Sequence, residues 1–63
     1  MASTETKQMW NVVETLERDD GSLYSQVVYT TDDLEDARAE RWHQIAQWSN
    51  QAVAQQRVRV VSA

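Results

Sequence analysis

Asp20-Gly21 constrains this chain more than any other pair of residues. Gly21 is its one glycine, proline and cysteine are absent, and the pair separates two stretches that alternate as half-buried strands do. Asp-Gly in that setting signals a hairpin, because the turn needs a positive φ that glycine adopts without steric cost. Before it, Gln8 to Arg18 puts Trp10, Val12 and Leu16 on one face and Asn11, Thr15 and Glu17 on the other. Met9 and Val13 are apolar exceptions on that second face. After it, Leu23 to Thr31 is dense in Tyr24, Val27, Val28, Tyr29 and Thr30, which suit a pleated surface. Two registers are compatible with this pattern. A two-residue turn pairs Leu16 with Ser25, a three-residue turn with a bulge pairs Leu16 with Tyr24, and one residue of slip exchanges the faces of the second strand.

Thr31-Asp32-Asp33-Leu34-Glu35-Asp36 reads as a helix start, with Thr31 or Asp32 as the cap and acids opposing the positive end of the dipole. The helical period is expected to continue to about Val53. Leu34, Ala37, Ile45, Trp48 and Ala52 share one stripe, and Trp42, Ala46 and Val53 form a second beside it. Asp36, Glu40, His43, Gln44, Gln47, Asn50 and Gln51 lie opposite, facing water. Gln55-Gln56 then serves as a connection, and Arg57 to Val61 alternates as a last strand with Val58 and Val60 inward and Arg57 and Arg59 outward. The order strand, strand, helix, strand predicts an α+β domain, ββαβ, in which a three-stranded sheet is covered on one face by a single helix. The helix makes a crossover, so the last strand is expected to lie parallel to a hairpin strand with a right-handed connection. The domain is expected over 8–63, behind a disordered polar tail over 1–7.

The 63 residues bury only about 60% of the unfolded surface on folding, so stability is narrow. Without cysteine there is no disulfide framework or thiolate metal site, and His43 alone cannot build a histidine one. No cofactor or metal is expected. No apolar run approaches a membrane span, and the N-terminus lacks a signal-peptide pattern, so an intracellular location is expected. The serines have no glycine-rich elbow, a phosphate loop is impossible with one glycine, and the carboxylates at a helix start have no pocket to tune them. An enzyme is not expected.

Charge is sorted along the chain. Residues 1–40 hold ten acids against Lys7, Arg18 and Arg38, a net of −7; residues 41–63 hold Arg41, Arg57 and Arg59 and no acid, a net of +3. The surplus of acid argues against direct nucleic-acid binding, and the asymmetry points to two electrostatic faces. Asp32, Asp33, Glu35 and Asp36 exceed what capping needs, so with Glu40 they form a candidate acidic surface that repels or mimics phosphate. Capping and solubility are the plainer explanation. Arg57 and Arg59 are the candidate partner-binding pair: two apart on a strand they project from one face about 7 Å apart, and each can hold a carboxylate bidentately. They could instead guard a sheet edge or pair with Glu14 or Glu17. Arg38 and Arg41 fall inside the apolar arc, with stems expected over Trp48 and Leu34 and heads in water. Trp10 and Trp48 read as core, and Trp42 as an interface candidate.

Several segments in order resemble one family. Trp10-x-Val12-Val13-Glu14, Val28-Tyr29, Leu34-Glu35-Asp36-Ala37, then Ala39, Glu40 and Trp42, and finally Arg57-Val58-Arg59 are similar to the small early-gene inhibitors of bacterial RNA polymerase made by short-tailed lytic phages. The likeness spans about residues 8–61. It implies a non-enzymatic protein, acting in the host bacterial cytoplasm, that binds the jaw of the polymerase β′ subunit in the downstream DNA channel. By the same resemblance Arg57 and Arg59 would grip acidic residues of the jaw. Glu35 and Asp36, with Glu40, would belong to an acidic surface that disturbs the DNA path and the first region of the σ factor. The hairpin and helix are longer than in that family, and the spacing from Leu34 to the tryptophan is off by one. The rival expectations are a small interaction module dimerising through Trp42, Ala46 and Val53, and a DNA mimic blocking another nucleic-acid-binding protein through Asp32–Glu40. A monomer is expected of the first function.

Overall fold

The computed structural model describes residues 7–63. It contains β1 (Trp10–Glu17), β2 (Leu23–Thr31), α1 (Leu34–Ala46), α2 (Gln51–Arg57) and β3 (Val58–Ser62), with the strands in one sheet ordered β2-β1-β3. The α+β class and three-stranded sheet are those expected. The expected tail falls on residues 1–6, outside the described residues, except for Lys7, which is placed with Nζ 2.6 Å from an Asp32 carboxylate oxygen.

The hairpin takes the three-residue turn. Leu16 pairs with Tyr24 and Glu17 with Leu23. Arg18 N–H donates to Ser22 O at 2.7 Å and Gly21 N–H to Arg18 O at 2.9 Å, with Gly21 at φ 88°. The tight turn thus closes over Asp19-Asp20, and glycine takes the left-handed position that follows it. Asp20 fixes the loop by accepting from the Ser22 N–H at 2.9 Å and hydroxyl at 2.6 Å. These two donors hold its carboxyl below the usual carboxylate range. A second irregularity lies farther along. Val12 pairs with Tyr29 but Val13 with Val27, so Val28 is an extra residue in β2. The bulge keeps Tyr24 and Gln26 of the outer half and Tyr29 and Thr31 of the inner half on the same side of the sheet.

The expected single helix is two. α1 ends at Ala46, where the N–H groups of Gln47 and Trp48 turn back to the carbonyls of Gln44 and Ile45 at 3.1 and 3.0 Å. Asn50 then caps a new helix, its Oδ1 accepting from Val53 N–H at 3.2 Å. Ser49-Asn50 offers the backbone side-chain partners that favour a cap over a helix interior, and this outweighs the continuing period. The break moves the buried contact. Ala54 is fully buried, whereas Ala52 of the expected stripe is exposed. Gln55-Gln56 lies within α2 rather than forming a connection.

β3 runs in the direction of β2 but does not pair with it. It takes the other edge of β1, antiparallel, with Val12 opposite Val60 and Glu14 opposite Val58. It thus lies parallel to one hairpin strand, as expected, but its bonded neighbour is the antiparallel β1, since the helical crossover is long enough to step across the central strand. Val12, Ala37, Ile45, Ala54 and Val58 form the buried core, surrounded by Trp10, Val28, Tyr29, Trp48 and Val60. Helix and sheet are also joined by polar contacts. Trp48 Nε1 donates to Glu14 Oε1 at 3.0 Å and the Tyr29 hydroxyl to Asp36 Oδ2 at 2.6 Å. No buried side-chain polar atom lacks a hydrogen-bond partner among the described residues.

Candidate interaction surface

Arg59, the second residue of β3, stands opposite Val13, on the face of the sheet turned away from the helices. It is exposed. Val58 and Val60, its neighbours, point the other way, into and beside the core. Alternation along β3 thus delivers the orientation expected for Arg59. Arg57 is different: it is the last residue of α2 and half-buried, so the pair does not share the spacing of a strand. The cause is the second helix, which consumes the residues expected to link helix and strand. At the end of α2, Arg57 also adds positive charge where the helix dipole is negative.

The cations sort by whether they are occupied. Lys7 is paired with Asp32, and Arg38 Nη1 lies 2.9 Å from Glu35 Oε1. Arg18 donates to Ser22 Oγ at 3.3 Å and stacks 4.6 Å over the Tyr24 ring. Arg41, expected to send its head into water, instead bonds backbone. Its Nε donates to Val58 O at 2.8 Å and its Nη2 to Gln55 O at 2.9 Å, while the guanidinium carbon sits 5.0 Å from the Trp42 ring centroid. Gln55 O is among the last α2 carbonyls, which have no partner inside the helix, so Arg41 closes that helix end and ties it to β3. Arg57 and Arg59 are the two of the six Lys and Arg side chains with no hydrogen bond, ion pair or aromatic partner among the described residues. The cross-strand pairs with Glu14 or Glu17 do not form, since Glu14 faces the helices and receives Trp48.

The five acids of the candidate acidic surface each have local work. Asp33 is the α1 cap, accepting from Glu35 N–H at 3.0 Å, a place expected of Thr31 or Asp32. Thr31 acts one step earlier, its Oγ1 accepting from Asp33 N–H at 3.2 Å. The Lys7 ammonium, through its hydrogen bond and its charge, holds the Asp32 carboxyl below its usual range, and the lysine is raised in turn. Glu35 meets Arg38, and Asp36 meets Tyr29. Glu40 accepts from Gln44 Nε2 at 3.2 Å. Asp36 and Glu40 are half-buried rather than wholly in water. Donation to Asp36 is the main cause that pushes the Tyr29 phenol above its ordinary value, with desolvation and the charges of Asp36 and Glu40 adding to it. The acids run along one flank, from the sheet edge at Asp32 to the second turn of α1.

Trp42 is 56% exposed, with Ala46 and Val53 also exposed, so the expected second apolar stripe remains uncovered on the outer side of the helices. The break between α1 and α2 divides that stripe. No cluster of three or more potential metal ligands occurs among the described residues. No helix of the described chain is long and apolar enough to cross a membrane. No protein-family model, curated protein or solved structure matches the chain.

Proposed function

We propose that this protein is a phage-encoded, non-enzymatic inhibitor of bacterial RNA polymerase, of the kind it resembles, that captures the jaw of the β′ subunit and blocks transcription in the downstream DNA channel. Arg59 is the leading contact and Arg57 the supporting one. The observation that carries this is their lack of any partner among the described residues, on a chain whose other four Lys and Arg side chains are occupied. An arginine in this state presents five donors in a planar fork that matches a carboxylate, and the acids it would otherwise meet are engaged along the other flank. Those acids, Asp32, Asp33, Glu35, Asp36 and Glu40, supply the field that repels phosphate from the same channel.

Capture of polymerase from bacterial lysate, with wild type beside Arg59→Glu and the Arg57→Glu, Arg59→Glu pair, tests this. The β′ subunit is expected with wild type, much reduced with the single variant and absent with the double one. Recovery of no polymerase subunit by wild type, or equal recovery by all three, refutes it.

The exposed Trp42, with Ala46 and Val53, favours a second reading, a homodimer through the outer helical face. Light scattering at micromolar concentration separates the two, since a strict monomer with an intact fold excludes the dimer.

A further inference from the structure

The sheet has two outer edges, and they are protected very differently. At β3 the edge is short and partly closed. Val58 N–H donates to Ala54 O, and Val58 O is taken by Arg41, which leaves only the outward groups of Val60 and Ser62. The long edge of β2 has no such guard among the described residues. Arg18 and Ser22 bond across the hairpin, so by alternation Leu16–Tyr24 and Glu14–Gln26 are also bonded pairs. The N–H and C=O groups of Leu23, Ser25 and Val27 therefore point away from β1. Beyond the bulge, those of Thr30 do likewise.

This strand, Leu-Tyr-Ser-Gln-Val-Val-Tyr-Thr-Thr, carries no charge, proline or glycine across nine residues. Exposed edges usually carry lysine, proline or inward charge to prevent pairing with another chain. Here the bulge at Val28 is the one device of that kind. Leu23 (53% exposed), Tyr24 and Val27 (54%) are three of the five large hydrophobic side chains left exposed on the described chain. Both ends of the uncharged row are net negative. Glu17 and Asp19, which have no partner among the described residues, stand with Asp20 and Arg18 at the hairpin end, and Asp32, paired with Lys7, stands with the capping Asp33 at the other.

We propose that the outer edge of β2 is a strand-addition site for an extended peptide segment with an uncharged, β-branched centre and a basic residue at each end. Backbone pairing supplies the attachment and the flanking carboxylates choose the occupant. Charge opposes a second copy of this chain as the partner, since each cluster stays net negative with Arg18 and Lys7 counted. An antiparallel copy would set the acids at 17–20 of each molecule beside those at 32–36 of the other, and a parallel copy would set each cluster against itself. At about 3.3 Å per residue the row spans roughly 30 Å, the length of a nine-residue peptide that bends with the strand at Val28. The site lies on the opposite edge of the sheet from Arg57 and Arg59 and is independent of the proposed function.

Amide NMR of the full chain titrated with a nine-residue peptide of alternating Thr and Val, ended by Lys, tests the site against the same peptide ended by Glu. The Lys-ended peptide is expected to shift the amides of Leu23, Ser25, Val27 and Thr30 and to slow their hydrogen exchange at least about tenfold. The Glu-ended peptide is expected to leave them unchanged. Neutralising the hairpin end by Glu17→Gln with Asp19→Asn should weaken binding about two- to fivefold, with the loss shrinking as salt is added. Ser25→Pro removes one outward donor and should abolish binding; Val27→Lys, a milder change at an exposed position, should weaken it if the proline variant fails to fold. Equal binding of both peptides, shifts confined to β3, no shift with either peptide, or protection of the β2 edge in a concentration-dependent dimer of the free protein would each overturn the assignment.

Discussion

Replacing Arg41 by alanine tests how the helices are held onto the sheet. The side chain makes two charge-assisted hydrogen bonds, to Val58 O at 2.8 Å and Gln55 O at 2.9 Å, from a half-buried position. A bond to a charged group is worth about 1.5–3 kcal/mol when shielded. One of these acceptors is exposed, and the guanidinium pays desolvation, so the two together are worth about 2 kcal/mol rather than their sum. The contact with the Trp42 ring adds about 0.5 kcal/mol at an exposed site. A chain of this length has about 3–9 kcal/mol of total stability, so the variant should lose a quarter to most of it. Urea unfolding followed by circular dichroism at constant m measures the loss, with an expected value of about 2–2.5 kcal/mol. Arg41→Lys should recover less than half, because an ammonium reaches one carbonyl at a time. A loss under about 0.5 kcal/mol for Arg41→Ala, or full recovery by lysine, would show that the fork does not hold α2 to β3.

Three further perturbations have definite expected outcomes. Asn50→Ala should cost about 1 kcal/mol by removing the α2 cap, with faster amide exchange confined to Gln51–Arg57; unchanged exchange there would mean that the cap does not define the second helix. Gly21→Ala meets no atom within 4 Å of the added methyl, so its cost of about 1–2 kcal/mol is backbone strain alone, and Gly21→Asn should recover much of it; equal losses for both would point elsewhere. The raised Tyr29 phenol gives a pH dependence: its bonded neutral form stabilises the fold fully below the unfolded tyrosine value near 10.0, and this contribution is lost as pH rises through the higher folded value. Unfolding by urea at about pH 9 and pH 11 should show that loss in wild type and not in Tyr29→Phe, and parallel losses in both would refute the coupling to Asp36.

The hairpin and the core were legible because they rest on local chemistry. Asp20-Gly21 specified a turn, and Val12, Ala37, Ile45 and Val58 each fall on the inward phase of their own segment. Between the two possible registers the sequence was silent, since both begin from the same Asp-Gly and differ only in whether glycine sits inside the turn or just after it. The bulge at Val28 left no composition signal: two adjacent valines suit either face of a strand. The helix break did leave one, in Ser49-Asn50, but a stripe from Leu34 through Trp48 outweighed it on periodicity. A continuous helix would leave Arg57 to the last strand, at clamp spacing from Arg59, and the break removes both expectations. Arg41 looked out of place on an apolar arc for the same reason. Its acceptors, Gln55 O and Val58 O, lie 14 and 17 residues away and exist as a pair only once α2 has formed.

The kink at Val28 and the turn at Asp19–Gly21 bracket the outer half of the hairpin, and each fixes its own phase. Residues could be added or deleted between these two points in matched pairs, one on each arm, and the arms would stay in step while the root against α1 felt nothing. Reach would change by about 7 Å per pair on each arm. The protruding arm is thus adjustable in length without recalibrating the body that carries it, and even deletion of Val28, the one residue without an opposite number, would straighten the ladder and leave every pair on its present face.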